Sequence, residues 1–209
     1  MRMEGSSQRG FSLVEMMVVI SIAIIIAAMA IGGVPSLLKT SRADAGLAEL
    51  AMAVRFARES AISNRRNVFL TFGSNTVTVT RVEYCPSTCT SGSEGSGMFT
   101  GCVATPSPCT AKTTALRTVT LEGRSKFQLM GVGDTPDAFG ASTETALGPK
   151  TPAMFTTDGS FIDSGGDVLN GSLFIGITGD ITSARAITIF GATGAMHLWR
   201  WDGRKWVEV

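Results

Sequence analysis

From Met16 to Val34 the chain carries no charged residue. A helix of about 20 apolar residues crosses a hydrocarbon layer of about 30 Å, so the run is read as a membrane segment and the remaining fold must be built downstream of it. A single carboxylate, Glu15, stands at its front. Residues 1–10 before it form a short polar leader carrying Arg2, Glu4 and Arg9. Three readings compete for the run. A cleaved secretory signal would use Ala28-Met29-Ala30 as its small-x-small site. A plain single-span anchor leaves Glu15 without a role, although an ionisable group at membrane depth is a functional feature by default. The third reading gives Glu15 a partner. Charge does not choose the orientation, because Arg2 and Arg9 before the run are matched by Lys39 and Arg42 after it.

Composition narrows the possibilities for the rest of the chain. Its 209 residues allow one core and no large multidomain enzyme. Lys plus Arg at 18 nearly cancels Asp plus Glu at 17, which excludes a globally basic nucleic-acid binder. One histidine in the whole chain leaves little material for a catalytic triad or a His-based metal site. The expectation is therefore a protein that is not an enzyme, with no catalytic set, resident metal or cofactor.

After the apolar run, Gly32, Gly33 and Pro35 interrupt a helical pattern that resumes over residues 36–64. Leu47, Leu50, Ala51, Val54, Ala57 and Ala61 recur at three- and four-residue steps and mark a packing face. Lys39, Arg42, Asp44, Glu49, Arg55, Arg58 and Glu59 suit water. From Asn67 the period changes to two: residues 67–72 and 76–82 flank a Gly73-Ser74-Asn75 turn and predict a hairpin. Further strands are predicted over residues 116–121, 126–130, 153–156, 172–177, 186–190 and 196–201. One helix followed by short strands implies an α+β head, an antiparallel sheet laid on the helix's apolar face.

The residues Arg9-Gly10-Phe11-Ser12-Leu13-Val14-Glu15-Met16-Met17 resemble the processing site of type IV prepilins and type II secretion pseudopilins. That resemblance implies cleavage after Gly10 by a prepilin peptidase, methylation of Phe11 as the new N-terminus, and pairing of Glu15 with the Phe11 amine of a neighbouring subunit. The pairing is physically reasonable, since an ammonium and a carboxylate facing each other in apolar surroundings lower each other's desolvation cost. Phe56 to Arg65 followed by Asn67 to Phe72 is similar to the H-type pseudopilins of the general secretion pathway and the related FimT minor pilins.

The implied organisation is a leader over 1–10, a transmembrane and assembly helix over 11–35, an amphipathic helix over 36–66, and a β-rich head over 67–209 with a cysteine-bearing insert at 83–114. The implied function is a minor pilin or pseudopilin of a type II secretion pseudopilus or type IV pilus. It would be single-pass in the bacterial inner membrane with its head in the periplasm, and would enter the pilus or pseudopilus on assembly. Its partners would be the prepilin peptidase, other major and minor pilins or pseudopilins, and the inner-membrane assembly platform.

The alternative function is DNA capture by a competence pilus, which the C-terminus addresses. Trp199, Trp201 and Trp206 are interleaved with Arg200, Arg204 and Lys205, a composition able to stack bases and neutralise phosphates, or to contact a neighbouring pilin. The tryptophans are expected to face alternately, at least one of them packed on the sheet. Some FimT-like pilins bind DNA through a Gly-Arg-x-Arg turn. The corresponding residues Gly194-Ala195-Met196-His197 lack arginine, and Asp202 and Glu208 sit among the cations, so the interface reading is preferred. His197 is read as an ordinary surface or packed histidine. Asp158, Asp163, Asp167 and Asp180 decorate glycine-rich turns, where turn chemistry is preferred over calcium because the spacing follows no EF-hand loop.

Cys85, Cys89, Cys102 and Cys109 lie in Ser-, Thr-, Gly- and Pro-rich sequence with little apolar material to order it. Disulfides are expected in an exported head, all three pairings remaining open, with a zinc site as the weaker alternative. Closing a loop of roughly 15 to 25 residues stabilises by about 3 kcal/mol on the chain-entropy model. Thiol titration of the unreduced protein is therefore expected to find no free thiol, and reduction to lower its melting temperature; four titratable thiols would contradict the framework.

Overall fold

The computed structural model describes residues 12–31, 34–84, 90–91, 102–103, 112–122, 124–132, 135–137, 145–147, 152–163 and 166–209. Two helices open the chain, Leu13–Ile31 (α1) and Val34–Asn64 (α2). Pro35 falls in the first turn of α2, where a missing N–H costs no helical hydrogen bond. Among the described residues thirteen strands come after them: Val68–Phe72 (β1), Thr76–Tyr84 (β2), Thr90–Ser91 (β3), Cys102–Val103 (β4), Lys112–Thr120 (β5), Ser125–Phe127 (β6), Thr145–Ala146 (β7), Met154–Phe155 (β8), Phe161–Ile162 (β9), Gly171–Ile177 (β10), Asp180–Phe190 (β11), Ala195–Trp201 (β12) and Trp206–Glu208 (β13). The chain divides into two compact units at residues 38 and 39, the second being the head.

Among the described residues the head contains two large antiparallel sheets where the strand pattern predicts one, and β3 pairs with β4 in a separate two-stranded ribbon. The first has the order β5-β2-β1-β8-β9; the second runs β13-β12-β11-β10-β6, with β7 also on β10. The expected class, a helix on antiparallel β structure, is what the head has. Splitting the sheet lets both halves cover one helix. Leu47, Leu50, Ala51, Ala53, Val54, Ala57 and Ala61 of α2 are buried in a single cluster with Val68, Leu70, Val77, Val79 and Phe155 of the first sheet and Leu173, Ile175, Ile187 and Ile189 of the second. Each fully buried Leu, Ile or Val side chain contributes about 1.5–3 kcal/mol. Alanines dominate the helix stripe because the helix lies between two sheets, and small side chains let both approach it.

The predicted hairpin is present, with Val68 opposite Arg81 and Phe72 opposite Val77. The proposed insert is bounded differently from the expected 83–114, because β2 runs to Tyr84 and β5 starts at Lys112, those two residues facing each other in the ladder. The strands β7, β9 and β13 are not among the predicted ones; at two or three residues they are too short to show a period. The strand expected over 126–130 covers Ser125–Phe127 instead.

The sheets meet where Phe161 N–H donates to Gly191 O at 2.7 Å and Gly191 N–H donates to Asn170 Oδ1 at 2.8 Å. Arg58 of α2 ties turns of both sheets, its Nε donating to Gly159 O at 3.3 Å and its Nη2 to Thr193 O at 3.0 Å. Gly194 sits so close that a Cβ there would lie 2.2 Å from Gly159 O, leaving room for no other residue.

Helix α2 ends in a Schellman arrangement. Arg66 N–H reaches Ala61 O at 3.2 Å and Arg65 N–H reaches Ile62 O at 3.3 Å, which puts Arg65 at φ 51°. A left-handed conformation costs a residue with a Cβ about 1–2 kcal/mol relative to glycine. Arg65→Gly is accordingly expected to raise the melting temperature by about 2–8 °C in a thermal unfolding experiment, and a decrease would contradict the strain.

Candidate functional site

Two surfaces carry unusual chemistry: the front of α1 and the outer face of the second sheet. Ser12 sits at the N-cap position of α1, its carbonyl accepting the Met16 N–H at 3.1 Å, and Glu15 falls in the first turn. A carboxylate there faces the positive end of the helix dipole. Ser12-Leu13-Val14-Glu15 is also a capping-box pattern, a local role for Glu15 beyond the expected one, and one that the spacing alone signals. The helix is apolar on every side. Leu13 is 76% exposed, Val14 66% and Ile26 63%, and the large side chains between them are also exposed.

A helix apolar all round is normally covered, either by other chains or by lipid. Among the described residues, whose side chains in α1 run only to Ala28, no helix is long and apolar enough to cross a membrane. The uncharged run itself continues in the sequence to Val34. Gly10 and Phe11 lie outside the described residues.

On the second sheet, strand alternation and register decide which side chains meet. Trp199 and Trp201 are two residues apart on β12, and Trp206 of β13 pairs directly with Trp201. All three therefore face outward from α2, correcting the expectation that they alternate. They cover Phe174, Ala184 and Ala186. Trp206 is the buried anchor at 9% exposure, packed edge-on against Trp201 at 5.6 Å and Phe174 at 6.0 Å between ring centroids. Trp199 Nε1 donates to Thr188 Oγ1 at 2.9 Å. His197 is exposed on the same face and contacts Glu208 through Nδ1.

Arg200, by contrast, pairs in register with Arg185 and faces the α2 side. The aromatic residues and Arg200 thus point to opposite faces. Arg204 and Lys205 are exposed in the β12–β13 turn, where both backbone N–H groups donate to Asp202 Oδ1 at 2.7 Å. Those bonds, Lys205's first, hold the Asp202 carboxyl below its ordinary range.

The remaining carboxylates serve their own turns. Asp158 accepts hydrogen bonds from the Thr156 hydroxyl, the Ser160 N–H and the Ser160 hydroxyl, which lower its pKa to about 2. Asp163 accepts the Asp167 N–H at 3.1 Å. Asp180 accepts the Thr182 N–H at 3.1 Å and lies 3.9 Å from Lys39 Nζ. Among the described residues no three His, Cys, Asp or Glu side chains converge as metal ligands. Cys85, Cys89 and Cys109 lie outside the described residues. Cys102 has its backbone in β4 opposite Ser91, and its side chain is not described.

A family model for the prokaryotic N-terminal methylation motif matches residues 5–31. The N-terminus is therefore of the type IV prepilin kind, which implies processing by prepilin peptidase, assembly with other pilins and association with a membrane or pilus. No curated protein and no solved structure matches the chain.

The outer aromatic face generates a direct test. Trp206→Ala should cost about 3–5 kcal/mol in denaturant unfolding, because it empties the space between Trp201 and Phe174; a cost under about 1 kcal/mol would show that Trp206 is not the anchor.

Proposed function

We propose that the protein is a minor pilin or H-type pseudopilin, a non-enzymatic subunit that assembles through α1 into a type II secretion pseudopilus or a type IV pilus. The observation that carries this reading is the methylation motif joined to a helix apolar on every side, with one carboxylate in its first turn. Before assembly the helix spans the inner membrane once, with the head in the periplasm. After cleavage behind Gly10, the Phe11 ammonium and the Glu15 carboxylate of adjacent subunits carry opposite charge. Pairing them removes two desolvation costs and sets the axial step between subunits.

The head supports the assembly reading over DNA capture. A single-stranded nucleic acid needs stacking rings and cations on one track, but here Arg200 is on the face opposite the tryptophans and Asp202 and Glu208 lie among the cations. Trp199 and Trp201, half-buried beside the anchor Trp206, suit contact with a neighbouring subunit. The four cysteines fit disulfides formed after export.

Mass spectrometry of the membrane form should find a chain starting at N-methylated Phe11; a start at Ile31 would assign Ala28-Met29-Ala30 to signal peptidase and overturn the reading. Glu15→Gln retains the capping-box residue type yet removes the charge. It is expected to leave cleavage intact and reduce incorporation into filaments at least tenfold, and normal incorporation would remove the ion-pair role.

A further inference from the structure

We propose that residues 39–46 at the start of the head form a latch that opens as a unit about Gly46 while the rest of the head stays folded. The way α2 is held changes character at that residue. From Leu47 onward the helix is fixed by apolar burial, Leu47, Leu50, Ala51, Ala53, Val54, Ala57 and Ala61 all belonging to the core cluster. Among residues 39–45 the one buried apolar side chain is Ala43, a single methyl group outside that cluster. There the contacts are polar: Lys39 Nζ lies 3.9 Å from Asp180, and Arg185 Nε donates to Asp44 Oδ1 at 2.7 Å.

The two halves also differ in what opening exposes. Lifting Leu47, Leu50 and Val54 off the sheets returns apolar surface to water at about 1.5–3 kcal/mol per large side chain. Lifting residues 39–46 instead rehydrates ions. Arg185 is fully buried, with Nη1 donating to Thr182 O at 3.0 Å and to Ala184 O at 2.9 Å, while Nη2 has no hydrogen-bond partner among the described residues. A buried guanidinium with an unmatched N–H group carries a desolvation penalty that the Asp44 contact only partly offsets. Water recovers that penalty when the helix lifts. The Lys39–Asp180 pair adds little resistance, since Lys39 is 56% exposed and its contact is long.

The boundary between the halves is the weakest helix position. Glycine costs about 1 kcal/mol relative to alanine inside a helix, and here it spares a crowded contact, since a Cβ would lie 2.9 Å from Ser125 Oγ. A labile polar half, a firmly packed apolar half and a glycine between them make a hinge with a defined pivot.

Hydrogen exchange read by mass spectrometry on the full chain in detergent micelles tests this. In the wild type, amides of residues 40–46 should exchange at least tenfold faster than those of residues 50–57. Asp44→Ala should accelerate residues 40–46 at least tenfold further and leave 50–57 unchanged. Arg185→Met removes the same ion pair but replaces the buried charge with apolar volume, so it should slow exchange of residues 40–46. A simple clamp predicts acceleration by both substitutions, and that result would overturn the latch. So would exchange of the two segments at one common rate. If Asp44→Ala does not fold, the wild-type comparison and Arg185→Met still decide.

Discussion

Everything in the head depends on one helix stripe being buried by two sheets at once. The stripe is built from three- and four-residue steps of small side chains, and alanine at positions 51, 53, 57 and 61 keeps the helix slim enough for sheets to close on it from two directions. A single sheet would leave one flank of that stripe wet. Beyond that stripe the sheets meet through the Phe161–Gly191 and Phe127–Ser74 backbone hydrogen bonds, through the edge-on Phe72 and Phe127 rings, and through Arg58, which holds one turn of each. The helix is in effect their shared core.

The same arrangement explains where polar groups can be tolerated. Arg185 follows the strand alternation that carries Ile187 and Ile189, so it points at α2 and must be buried or paired. Asp44 reaches it from a position exposed enough to keep part of its own hydration. Asp158 and Asp163 of the distal turns accept hydrogen bonds at Oδ1 from neighbouring N–H and hydroxyl groups, which shapes the turns around them. The cluster around Trp206 makes the outer face of the second sheet a small core of its own, closed by the C-terminal strand.

The front of the chain obeys a different solvent. In water the exposed Leu, Ile, Val and Met side chains of α1 would drive association. In hydrocarbon, or among copies of the same helix, they are neutral and Glu15 becomes the costly group. A polar head with its own core, attached to an apolar helix with one charge, is the distribution expected of a subunit that exchanges one apolar environment for another.

Much of this was legible from residues alone because it rests on local period and local chemistry. The apolar run, the carboxylate in front of it, the helix face from Leu47 to Ala61 and the β1–β2 hairpin need only near neighbours in sequence to declare themselves. The division into two sheets was not legible, because it depends on which strands reach the same helix from far along the chain. Nor were the short strands β7, β9 and β13, whose partners rather than their own composition define them. The tryptophans show the limit most plainly. Their proximity in sequence suggested a single aromatic and basic surface, whereas alternation along β12 and the pairing of Trp201 with Trp206 gathered the rings on one side and sent Arg200 to the other. By itself the sequence determined that this chain carries an apolar N-terminal helix on an α+β head. Only the tertiary structure decided which side chains share a face, because long-range register, invisible to any local window, sets that choice.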